Sequence, residues 1–81
     1  MELFLISQTV NNDYDTYDSA VVCAETEEDA KRIHPNGSDD WDGKRAAWDS
    51  WCNIEDVHVK YLGRAADTNI KGIVCASYRA G

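Results

Sequence analysis

Four apolar stretches, separated by runs of polar, turn-forming residues, predict four β-strands. The run Leu-Phe-Leu-Ile at 3–6 is continuously apolar, which is typical of a central strand. A second strand is predicted at 17–25, and the β-branched residues inside its segment 20–24 favour burial on both faces. A third, at 57–62, alternates apolar and polar side chains, which indicates one wetter face near a sheet edge. A fourth is predicted at 73–78, where the residues are again small and apolar.

Between the second and third strands the pattern predicts one main helix at 27–34. Thr26 stands where an N-cap belongs, and Asp29, three residues later, completes the spacing of a capping box. The first turn is acidic, as the helix dipole favours, and Pro35 ends the helix because it cannot continue the backbone hydrogen bonding. The order of elements predicts an α+β fold: about four antiparallel strands with the helix packed on one face of the sheet.

Length and composition predict one small cytoplasmic domain. A chain of 81 residues is expected to form a single domain, spanning 1–81, and a hydrophobic share of 43% is enough for a packed core. No apolar run reaches the roughly 20 residues of a transmembrane helix, and the first residues lack the features of a signal peptide. Three widely spaced cysteines do not make a disulfide framework, so reduced thiols are expected.

The distribution of charge is more informative than the net charge of −7. Residues 1–30 contain eight acidic residues and no lysine or arginine, whereas the rest of the chain contains seven acidic and eight basic residues. Such a surface is a poor partner for nucleic acid, because phosphate binding needs cations, but it suits a basic protein surface.

From this asymmetry we predict an acidic patch that binds a protein partner. Its members are the acids of two loops and of the helix start between them: Asp13, Asp15, Asp18, Glu27, Glu28, Asp29, Asp39, Asp40 and Asp42. A solvated surface that serves solubility alone explains the same charges equally well. Charge by itself leaves both interpretations open.

The cysteines and histidines do not form a recognisable catalytic or zinc-binding pattern. Cys23 and Cys75 lie within apolar strands, where a thiol acts as a small buried hydrophobe. Cys52 is the cysteine we expect to be exposed, and it could link two copies of the chain through a disulfide. Catalysis by Cys52 with His34 or His58 has no supporting spacing, so no enzyme activity is predicted.

The acidic segment 38–49 has the outline of a calcium-binding EF-hand loop. Ser38 stands where the first carboxylate belongs, however, and Asp49 stands where a bidentate glutamate is needed. The preceding helix is also expected to stop too early, at Pro35. A solvated acidic turn is the better interpretation, and neither a metal nor a cofactor is predicted.

Four segments carry a resemblance to known proteins: MELFLISQ at the start, TYDSAVVCAETEEDAKRIHP at 16–35, NIEDVHVKYLG at 53–63, and GIVCASYRAG at the end. Together they resemble a family of small acidic proteins encoded by bacteriophages. Proteins of this size, source and charge are similar to anti-CRISPR inhibitors of type I systems, such as type I-C. The stretch 36–50 is the least typical part of the chain.

The resemblance implies an inhibitor that acts in the cytoplasm of the host bacterium as a monomer or weak homodimer. A type I surveillance complex (Cascade) holds duplex DNA on lysines and arginines. The acidic patch would occupy that surface on a Cascade subunit and block recruitment of target DNA, without catalysis and without binding nucleic acid or membrane. Trp41, if exposed among the acids, would be an apolar anchor. The alternative is a cytosolic phage accessory or structural protein that self-associates, its acidity serving solubility.

Overall fold

The protein folds around one four-stranded antiparallel sheet. The computed structural model describes residues 1–11, 15–37, 41–45, 50–65 and 71–79. The strands follow one another along the chain as β1 (Glu2–Ser7), β2 (Thr16–Ala24), β3 (His58–Arg64) and β4 (Gly72–Arg79), and they lie side by side in the order β3-β1-β2-β4. A short helix, α1 (Glu27–Lys31), follows β2, and a 3-10 turn (Ile54–Asp56) precedes β3. The predicted α+β class is therefore confirmed.

The places of the strands follow their hydrophobic patterns. β1 and β2, the most continuously apolar strands, are the two central strands, and they pair with Phe4 opposite Val22 and Ile6 opposite Ala20. The alternating strand β3 lies at one edge, as predicted, and pairs with β1. β4 pairs with β2 and forms the other edge, with a shift of register between Val21 and Val22 of β2.

The core lies on one face of the sheet. Phe4 and Ile6 of β1 are buried, whereas Leu3 and Leu5, which alternate with them and point to the other face, are only half-buried. The core cluster is completed by residues of β2, α1 and the segment before β3: Ala20, Val22, Ala24, Ala30, Trp51, Cys52 and Val57. Because the segment containing Trp51 and Cys52 packs into this cluster, the second face of the sheet remains the more open one.

The helix is shorter than predicted. Its start is as expected, since the Thr26 hydroxyl accepts a hydrogen bond from the Asp29 amide at 3.1 Å. It ends at Lys31 instead of reaching residue 34, with Arg32 as its C-cap. The reason is a change of hydrogen bonding, because the amides of Arg32 and Ile33 bond to carbonyls three residues back, which tightens the last turn. Ala30 is the one buried residue of the helix.

The predicted exposures of two cysteines are wrong. Cys52 is 1% exposed, so its thiol is inside the core and offers no accessible route to a link between two copies. Cys75, expected to be buried, is exposed on the edge strand β4. It pairs with Val21, whose side chain points away from that of the buried Val22, so Cys75 belongs to the open side of the sheet. Cys23 is buried as predicted.

Candidate functional site

Strand β2 separates the predicted acidic patch into two groups. Asp15 directly precedes β2 and Asp18 lies in its first half, whereas Glu27 and Glu28 follow its far end. The eight residue steps from the first to the last residue of β2 span about 26 Å. The described acids therefore do not form one continuous patch. Asp13, Asp39 and Asp40 lie outside the described residues.

The larger of the two groups surrounds α1, and we call it the acidic end. Glu27, Glu28 and Asp29 fill the first turn of α1, where they complement the positive end of the helix dipole. Trp41 contacts His34, three residues beyond α1, and this contact brings Asp42 to the same end of the molecule. The acidic end consists of Glu25, Glu27, Glu28, Asp29 and Asp42, all exposed except the half-buried Asp29. Lys31 and Arg32 adjoin it.

Trp41, the predicted apolar anchor, is half-buried rather than fully exposed. Its ring meets the ring of His34 edge to face, with a distance of 5.4 Å between the two centroids. The indole nitrogen donates a hydrogen bond to the carbonyl of Lys44 at 3.1 Å, and the Lys44 amide donates to the Asp42 carboxylate at 2.9 Å. Trp41 also packs against the core cluster. Its position is thus fixed from several sides, and part of its surface remains open.

A groove lies between the end of α1 and the start of β4, and we call it the α1–β4 groove. Its volume is about 510 Å³. His34 at its inner side is 2% exposed, and its Nδ1 accepts a hydrogen bond from the Asn36 amide at 3.1 Å. The lining residues come from α1, the segment that follows it, the segment that begins at residue 41, and the start of β4: Asp29, Arg32, Ile33, His34, Gly37, Trp41, Lys71, Gly72 and Ile73.

The sequence pattern did not indicate this groove. Arg32 and Lys71 lie 39 positions apart in the chain, and both line the groove because the start of β4 pairs with the end of β2. The pairing of Gly72 with Cys23 places Lys71 beside the point where the chain turns into α1.

Asp15, in the second acidic group, interacts with Tyr78 of the same chain. Asp15 accepts a hydrogen bond from the Tyr78 hydroxyl, and the pKa of Tyr78 is raised, first by partial desolvation and then by the Asp15 charge and this bond. The Tyr78 ring also meets Tyr17 edge to face, with 4.8 Å between centroids. Asp15 has a backbone φ of 58°, a left-handed conformation that aspartate tolerates better than most residues. This end of β2 is therefore built as a structural turn.

Beneath that turn lies a buried polar cluster that sequence reasoning missed. The Gln8 side-chain amide donates to the carbonyls of Asn11 and Tyr17, each at 2.8 Å, and its oxygen accepts from the Asn11 amide at 2.7 Å. The Asn11 side chain donates to the carbonyl of Trp51 at 2.7 Å. The cluster ties the β1–β2 connection to the core segment around Trp51.

Candidate catalytic and metal-binding groups are not brought together in the described part of the chain. Within that part, no three residues among its His, Cys, Asp and Glu residues are grouped closely enough to hold a metal ion. Ser38, Asp40 and Asp49 of the EF-hand-like segment lie outside it. Cys52 and His34 are buried, whereas His58 is exposed on the edge strand β3. The described residues also include no helix that is long and apolar enough to cross a bilayer.

The chain was compared with protein-family models, curated proteins and solved structures, and none of them matches it. Its function is therefore inferred from the acidic end and the sequence resemblance.

Proposed function

We propose that this protein is a non-catalytic inhibitor whose acidic end binds a basic surface of a protein partner. The resemblance to type I anti-CRISPR proteins makes Cascade the proposed partner, and blocked recruitment of target DNA the proposed result. In this proposal the protein does not bind nucleic acid. It occupies the cationic surface on which the partner holds DNA.

The observation that carries the proposal is the density of charge on α1. Three carboxylates share one helical turn, which is about 5.4 Å of helix axis, or roughly one charge per 1.8 Å. Duplex DNA carries about one charge per 1.7 Å of its axis. A protein groove that is complementary to DNA phosphates therefore meets a similar linear charge density on this turn. The N-cap bond from Asp29 to Thr26 holds the turn in place before binding.

The separation of the two acidic groups refines the predicted surface. Because Asp15 accepts a hydrogen bond from Tyr78 at the far end of β2, we assign binding to the acidic end and a structural role to Asp15. The open part of Trp41 supplies apolar contact beside the carboxylates, which electrostatic attraction alone does not give. The helix is proposed to lie against the core-bearing face of the sheet through Ala30, with its acidic side outward.

Removing charge from each end separately tests the assignment. The double variant Glu27→Gln/Glu28→Gln keeps the shape of the exposed side chains, and Asp15→Asn removes a carboxylate at the opposite end with a residue that also tolerates positive φ. We expect each charge removed from the acidic end to weaken binding to purified Cascade about two- to fivefold at low salt. The Asp15→Asn variant should bind like the unmodified protein.

The assays are calorimetry at two salt concentrations and a DNA-shift assay with Cascade, with circular dichroism to verify the fold of each variant. Binding should weaken as salt rises, and the protein should reduce the shifted DNA band. Absence of any Cascade binding would refute the choice of partner. Binding that Asp15→Asn weakens and Glu27→Gln/Glu28→Gln does not would refute the choice of surface.

The edge strand β4 favours the alternative function, a protein that self-associates. β4 is eight residues long and contains no proline and no acidic residue. Val74 is 59% exposed and Tyr78 is 49% exposed, and the outer edge of such a strand can pair with a strand of a second copy. Sedimentation that shows a stable dimer, abolished by Val74→Lys while Cascade binding is absent, would favour this alternative.

A further inference from the structure

We infer that the α1–β4 groove binds a planar organic anion of about the size of a mononucleotide. The inference does not depend on Cascade, and the groove shares only Asp29 with the acidic end. It follows from the volume of the groove, its apolar walls and the two cations at its rim.

The size and the open walls of the groove suit a small molecule. Its volume of about 510 Å³ falls within the range of about 300–1,000 Å³ that is usual for ligand pockets. Two of its lining residues are glycines, and a Cβ atom added to Gly37 or Gly72 would meet no other atom within 4 Å. The backbone at these two lining positions is therefore not covered on its Cβ side, and a ligand can approach it closely.

The inner surface of the groove is suited to a flat ring. Ile33, Trp41 and Ile73 pack against the core with one side and line the groove with the other, and each is half-buried. The edge-to-face contact with the buried His34 fixes the Trp41 indole. A fixed aromatic side chain together with two branched aliphatic ones provides packing for a planar group at little cost in side-chain entropy.

The charges select an anion. Arg32 and Lys71 line the groove from different elements, both are exposed, and together they can hold a phosphate or carboxylate. Among the described residues that line the groove, Asp29 is the one carboxylate, and it can accept hydrogen bonds from hydroxyl or amino groups. A mononucleotide combines all three features, namely an anionic group, a flat ring and neutral hydrogen-bond donors.

Titration with adenosine monophosphate tests the inference. In ¹H–¹⁵N NMR spectra of the full chain, we expect saturable shifts of the Gly37 and Gly72 amides, which both line the groove. Adenosine, which lacks the phosphate, and inorganic phosphate, which lacks the ring, should each bind more weakly than the nucleotide. Arg32→Gln and Lys71→Gln should each weaken binding about two- to fivefold, since each removes one exposed charge.

Lys60→Gln is the matched control, because Lys60 is an exposed cation on β3 that does not line the groove. All of these substitutions replace exposed side chains, so the variants should stay folded. The inference is overturned if adenosine monophosphate produces no saturable shift up to about 10 mM. It is also overturned if inorganic phosphate binds equally well, or if Lys60→Gln weakens binding as much as the groove variants do.

Discussion

Replacement of Asn11 by alanine should destabilise the fold by breaking a tie between the β1–β2 connection and the core. Asn11 is 2% exposed, and its side-chain amide donates to the Trp51 carbonyl at 2.7 Å, across 40 positions of the chain. Asn11→Ala removes that donor, so the carbonyl of the fully buried Trp51 loses this hydrogen bond. The backbone bond from Asn11 to the Gln8 side chain can remain, so the change is specific to the tie with Trp51.

The expected loss in the free energy of unfolding is about 2 kcal/mol. A buried polar group left without its partner costs about 1–3 kcal/mol, considerably more than the roughly 1 kcal/mol net value of an average hydrogen bond. For a domain of 81 residues, 1 kcal/mol corresponds to a change in Tm of about 4–8 °C, so Tm should fall by about 8–16 °C.

Urea unfolding followed by circular dichroism measures the loss, with Asn36→Ala as the control because Asn36 is exposed. The control should stay within about 0.5 kcal/mol of the unmodified protein. If Asn11→Ala also stays within that limit, the side chain does not stabilise the fold through Trp51 and the reasoning is refuted. Hydrogen exchange should in addition show faster opening around Trp51 in the variant.

Three further predictions concern the contact of Gly43 with the turn before β3, the edge formed by β1 and β3, and the open face of the sheet. Gly43→Ala should lower stability by about 1–3 kcal/mol in urea unfolding, because Gly43 has φ 84° and an added Cβ would lie 3.1 Å from Ile54 Cγ2. Glu2→Gln should lower the pKa of Tyr61, measured by phenolate absorbance, since the hydrogen bond to Glu2 is the main cause that raises this pKa above 10.0. Because the pKa of Tyr61 is raised in the folded state, its hydrogen bond to Glu2 stabilises the fold at pH values below the ordinary pKa of tyrosine. This contribution is lost as pH rises through the pKa of Tyr61 in the folded protein. Cys75 should react rapidly with a thiol reagent in the native protein, the two buried cysteines should react slowly, and Cys75→Ser should abolish the rapid phase.

The fold was largely predictable because its main signals are local. The continuous apolar runs of β1 and β2 made them central strands, the alternation in β3 made it an edge strand, and Thr26 marked the start of α1. The end of α1 was missed because the change to tighter hydrogen bonds after Lys31 is not encoded in hydrophobic periodicity.

Burial and grouping of side chains were less predictable, because they depend on contacts between distant segments. Cys52 is buried and Cys75 is exposed, the reverse of what the sequence predicted. The reason is that the segment after residue 50 packs on one face of the sheet and leaves the other face more open. The acids looked like one set along the chain, but β2 places Asp15 and Glu27 at opposite ends of a strand. Acidic residues that are close in the sequence are therefore far apart in the folded protein.

The strand order β3-β1-β2-β4 implies a sequence of events during synthesis. The two inner strands are complete once residue 24 has left the ribosome, and the connection between them is short enough for them to pair as an antiparallel hairpin. The outer strands emerge later and add one to each side, β3 across more than 50 positions from β1. Both outer ladders, β1–β3 and β2–β4, pair residues about 50 to 60 positions apart, so their loop-closure entropy should limit the rate at which the nascent chain reaches its native state.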